Sequence, residues 1–152
     1  MVATAAVVLL IAAGLVSHYW YSASETIGAF GEGTSSMAQS ETYRKYFADA
    51  RRDLESWLQK KDFQSTPVLG ANGAVRYGAI YEAWYAGRHE HSRPFLVKLE
   101  FGGPNTVGLG AAVNWNYGGL KWGMKQDRDR ARAFGDLLKQ WWNDYTRAHP
   151  VP

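Results

Sequence analysis

The chain has 152 residues, room for one domain beside a short leader, and a formal charge of +3 at pH 7. Aromatic residues make up 14% of it, including seven Trp and nine Tyr, a ring content that excludes an intrinsically disordered tail. It contains no cysteine, which excludes disulfides, thiol nucleophiles and cysteine-ligated metal sites.

In chain order, the first feature is an uncharged apolar stretch from Val2 to Tyr21. As a helix, twenty residues make roughly 30 Å, the thickness of a bilayer's hydrocarbon core. The stretch has no basic n-region and ends in "HYWY", whose bulky rings sit poorly beside a cleavage site. A transmembrane anchor over 1–22, or an uncleaved signal, is therefore favoured over a cleaved one. Ala3, Ala6, Leu10, Ala13 and Ser17 share one helical face, and its small residues suit packing on another membrane helix. Tyr19, Trp20 and Tyr21 are rings of the kind that settle at the headgroup layer. Neither flank supplies the Lys or Arg that sets orientation. The expectation is a single-pass protein whose C-terminal domain lies outside the cytoplasm, in the periplasm or the extracellular space.

Residues 23–36 mix Ser, Thr and Gly and read as a flexible tether. Gly28, Gly31 and Gly33 miss the dinucleotide-binding spacing. Ser36 with Gln39 fits a capping box, and Tyr43, Phe47, Ala50, Leu54, Trp57 and Leu58 form one apolar stripe, predicting a helix over about 37–61.

The period then changes to 2. Asn72-Gly73 is a hairpin signal between apolar runs. Val75 to Tyr85, Phe95 to Phe101 and Val107 to Tyr117 each alternate core-type and polar residues. A last helix over about 126–147 carries Phe134, Leu137, Leu138, Trp141 and Tyr145. The predicted fold is α+β: an N-terminal transmembrane helix, then a two-layer domain over 37–149 built as helix, four-stranded antiparallel meander and helix.

All 17 Lys and Arg lie at or after Arg44, with 11 of the 14 acids. The bases alternate with acids instead of forming a block, so no nucleic-acid partner is expected. His89 and His91 flank Glu90 but lack a third and fourth ligand at any recognisable spacing, so a hydrated loop is favoured over a metal site. Glu82 and Glu100 fall on adjacent strands, where pairing with Arg76 and Lys98 is the commoner use of such carboxylates than acid–base catalysis. Nucleophile-elbow, phosphate-loop and metalloprotease motifs are absent from the sequence. No enzyme activity, cofactor or metal is expected.

The surplus of large rings points instead to a surface. Trp84, Trp115, Tyr117, Trp122 and Trp142 are the candidate binding residues, with "NWNYGGLKWG" its centre. The expected function is that of a non-enzymatic accessory subunit of a membrane complex, partnered by lipid and by other membrane-protein subunits. The alternative is an envelope binding module for carbohydrate or an anionic polymer.

Overall fold

The computed structural model describes residues 20–34, 41–67, 80–86, 95–102 and 106–152, with side chains throughout except at 20, 34, 65–67, 80–86, 102 and 120. The elements are β1 (Trp20–Thr34), α1 (Glu41–Gln59), β2 (Gln64–Pro67), β3 (Ile80–Ala86), β4 (Leu96–Gly102), β5 (Val107–Leu120) and α2 (Lys121–Ala148). They form an antiparallel sheet in the order β1-β5-β4-β3-β2, in which β2 to β5 run as the expected meander. Among the described residues no helix is long and apolar enough to cross a membrane. The apolar stretch itself, with Ala3, Ala6, Leu10, Ala13, Ser17 and Tyr19, lies outside the described residues, as do the Ser36 cap, the Asn72-Gly73 turn, Arg76, His89 and His91.

The sheet has a fifth strand that the sequence reading assigned to the end of the span and to a tether. Residues 20–34 pair with β5 from Trp20↔Leu120 to Thr34↔Val107, shifting register once, at Ala29. The cause is a period-2 pattern hidden by small residues. Tyr21, Ala23 and Ile27 point to the core side, while Ser22, Ser24 and Thr26 are exposed on the other. At Gly33 and its partner Gly108 the missing side chain serves close approach. A Cβ at Gly33, which has φ 151°, would stand 2.3 Å from the Val107 carbonyl oxygen, and one at its partner Gly108 2.6 Å from that of Glu32.

Both helices lie on one face of the sheet. From α1 the stripe Phe47, Ala50, Leu54 and Leu58 is buried, joined by Tyr46. The helix ends in a Schellman turn: Asp62 adopts the left-handed conformation (φ 64°), and the Asp62 and Phe63 amides donate to the Gln59 and Leu58 carbonyls. That reversal delivers Phe63 to Phe134 of α2, with ring centres 4.7 Å apart. Val97, Leu99, Leu109 and Val113, all almost fully buried, form the sheet's contribution to the core.

The last helix begins at Lys121, five residues earlier than expected, and follows β5 without a loop. It then runs back along β1. Gly135 lies over Ile27, where a Cβ would come 3.0 Å from Ile27 Cγ2, and Trp142 stacks on Phe30 at 4.6 Å. Beyond it, Tyr46 donates to the His149 carbonyl at 3.0 Å, fastening the C-terminus to α1. Burial, with Asp53 nearby, pushes the Tyr145 phenol up to about 12.

The β1 pairing makes a contrast between two glycines measurable. Gly33→Ala is expected to cost about 1–3 kcal/mol through backbone overpacking. Gly28→Ala, whose Cβ would meet nothing within 4 Å, should stay within about 0.5 kcal/mol of the parent. Denaturant unfolding of the two variants checks this; equal, negligible effects would mean that residues 20–34 are not packed.

Candidate functional site

The pairing of Trp20 with Leu120 sets the start of β1 against the start of α2. This end of the domain therefore gathers Tyr21 from one element and Lys121, Trp122 and Lys125 from the other. Trp122 is 75% exposed and Tyr21 38%, two of the few large hydrophobic side chains on the described surface. Lys121 Nζ lies 5.9 Å from the centre of the Tyr21 ring, at the outer reach of a cation–π contact. Along α2, Trp122, Lys125, Gln126, Asp129, Arg130 and Ala133 line a shallow open groove, their spacing being that of one helical face.

The charge there is uneven. Residues 121–132 hold five cations (Lys121, Lys125, Arg128, Arg130 and Arg132) against two acids, Asp127 and Asp129. No acid falls in the first turn, where the helix dipole favours one. Part of this charge is matched. Glu25 of β1 accepts from Arg128 Nε at 2.5 Å and from Arg132 at 3.0 Å, and Lys125 pairs with Asp129 on the open surface. Hydrogen bonds from Arg128 and then Arg132 hold the Glu25 carboxyl below its ordinary 4.5.

The opposite face of the sheet forms a second surface, which no described element covers. Its β1 and β5 positions are Ser22, Ser24, Thr26, Gly28, Gly31 and Gly33 beside Gly108, Gly110, Ala112, Asn114, Asn116 and Gly118, a strip without one charged side chain. Ser24, Thr26, Asn114 and Asn116 line a shallow polar hollow in it. The Asn114 Oδ1 atom is buried without a hydrogen-bond partner. Along its outer edge β1 pairs with no described strand.

The expected aromatic surface is corrected on three of its rings. Trp115 (2% exposed), Tyr117 and Trp142 are buried, because the first two occupy the core-facing parity of β5 and the third faces Phe30 from the inner side of α2. Trp115 and Tyr117 stack on each other at 5.9 Å, and the Trp115 indole nitrogen is buried unpaired. Trp84 lies on β3 opposite Lys98, its side chain outside the described set. Of the four whose side chains are described, Trp122 alone is exposed.

The carboxylates do fall opposite each other: Glu82 and Glu100 are register partners on β3 and β4. Glu100 pairs with Lys98 at 2.6 Å, and its surroundings are an exposed sheet face. Among the described residues no three His, Asp or Glu side chains converge as a metal site. Sequence reasoning missed the cluster of Tyr21 with Lys121 and Lys125, and the Glu25 link to Arg128 and Arg132. The alternation of Tyr21, Ala23 and Ile27 with Ser22, Ser24 and Thr26 was the available signal for the strand that makes both.

Compared with known proteins, the chain matches no protein family, no curated protein and no solved structure.

The Glu25 link has a pH signature. A carboxyl whose folded value lies below 4.5 contributes stability that is present above 4.5 and is lost as pH falls through the lower, folded value. Thermal unfolding followed from pH 6 downward should show the parent losing stability on this acid limb and Glu25→Gln losing less. Parallel curves would mean that the Arg128–Glu25–Arg132 link does not exist in solution.

Proposed function

We propose that the protein is a non-enzymatic, single-span membrane protein, an accessory subunit that holds its α+β domain at the bilayer surface and meets a partner subunit there. The observation that carries this reading is that the chain is already paired to β5 at Trp20, directly after the apolar residues 2–19. An anchor of that length and composition suits a bilayer. With a paired strand following it at once, the domain has no long tether on which to wander. Anchor and domain are then mechanically continuous, which suits a subunit that must present one surface in a fixed place.

Two surfaces support contact with a protein partner. The small residues Ala3, Ala6, Ala13 and Ser17 permit close helix packing in lipid. The uncharged β1–β5 strip has the depletion of charge found at interface centres. The outer edge of β1, which no described strand covers, adds backbone groups that a partner strand can bond.

Extraction from native membranes in mild detergent tests this reading. The protein should resist carbonate washing, keep the mass of the full 17.0 kDa chain and migrate in a discrete larger complex. Thr26→Arg, which plants a charge on the exposed strip, should release it from the complex while leaving it in the membrane and folded. A trimmed chain in the soluble fraction, or a monomer indifferent to Thr26→Arg, would overturn the reading.

A further inference from the structure

We infer that the end of the domain formed by Tyr21, Lys121, Trp122 and Lys125 rests in the headgroup layer of an anionic bilayer; this rests on the membrane reading above. Three independent observations converge. The first is position: Trp20 lies opposite Leu120, so the apolar stretch joins the domain two residues in register from Trp122. Whatever depth residues 1–19 occupy, Trp122 is carried to its boundary.

The second is side-chain chemistry. Trp and Tyr have an apolar ring with a polar edge and prefer the boundary between hydrocarbon and headgroups. Trp122, 75% exposed, and Tyr21 offer such rings; Lys121 lies near the Tyr21 ring and Lys125 lines the groove with Trp122, both with flexible ammonium groups able to reach phosphate.

The third is charge placement. Cations at the start of a helix oppose its dipole, so Lys121 in the first turn costs local stability, and residues 121–132 as a whole hold five cations against two acids. An anionic surface offsets that cost, and the attraction of lysines to such a surface is additive over a Debye length of about 10 Å. The rest of α2, from Ala133 onward, balances Lys139 and Arg147 against Asp136 and Asp144. Within α2 the excess positive charge is thus confined to the end that meets the start of β1.

The absence of cysteine from the chain permits a direct test in full-length protein. Single cysteines at exposed Gln126, at exposed Asn143 and at Leu10 of the apolar stretch receive an environment-sensitive fluorophore. Gln126 and Asn143 are separated by about 25 Å of helix. The labelled proteins are reconstituted into vesicles of brominated phosphatidylcholine with phosphatidylglycerol. Bromine should quench the label at 10 strongly, and the label at 126 several-fold more than that at 143. The quenching at 126, but not at 10, should fall with Trp122→Ala, with Lys121→Glu/Lys125→Glu, and in salt near 1 M, where screening shortens to about 3 Å. Quenching at 10 with equal, weak quenching at 126 and 143 would overturn this inference and leave the membrane reading standing. Quenching at 126 that ignores all three perturbations would also overturn it. An unquenched label at 10 would overturn both.

Discussion

The pairing of β1 along the whole length of β5 is the constraint on which the other features depend. Fourteen residue pairs join the two strands. Without them Ile27 and Phe30 would have no fixed place beneath α2, Glu25 would not meet Arg128 and Arg132, and β5 would be the bare edge of a four-stranded meander. Small side chains make the pairing possible. Where Gly33 faces Gly108 the two backbones come closer than any Cβ allows, and at Gly135 the helix settles directly on Ile27. The cohesion is mainly apolar burial on one face, with the ion pairs at the rim adding little each because water reaches them.

That single strand also changes what the apolar stretch means. A leader followed by a tether leaves a domain free to sample many positions; a leader followed at once by a paired strand does not. The same topology collects in space what is scattered in sequence. Tyr21 and Lys121 are a hundred residues apart and meet because antiparallel pairing aligns the start of one strand with the end of the other. Lys and Arg, which the segment following the stretch lacks up to Arg44, stand on a helix from the far end of the chain. The opposite face of the sheet keeps a strip free of charge, so one strand pair borders both a cationic end and a neutral face.

Much of this architecture is legible in the residues. The stripe Phe47, Ala50, Leu54 and Leu58 forecasts the buried side of α1, and the alternation of Val107, Leu109, Ala111 and Val113 forecasts the core side of β5. What escaped has physical causes. Residues 20–34 alternate, but Ser, Thr and Gly face outward against Tyr21, Ala23 and Ile27, and Glu25 at an inward position breaks the apolar set, so the pattern reads as a linker. The acid-free start of α2 contradicts the usual helix-opening chemistry, so Asp127 and Asp129 mark an apparent beginning five residues late. The large rings misled for a related reason: Trp115, Tyr117 and Trp142 were weighed by size against a two-layer core. With β1 in place and α2 lying along it, the core is wide enough to bury all three.

Amide hydrogen exchange across residues 21–33 reads the central claim most directly. Edge-strand pairing leaves alternate amides facing outward and bonds the others to β5. The inward amides should exchange as slowly as their partners in residues 108–119, while the outward ones exchange quickly. Uniformly fast exchange through residues 21–33, with β5 still protected, would restore a free tether and detach the domain from the place assigned to it.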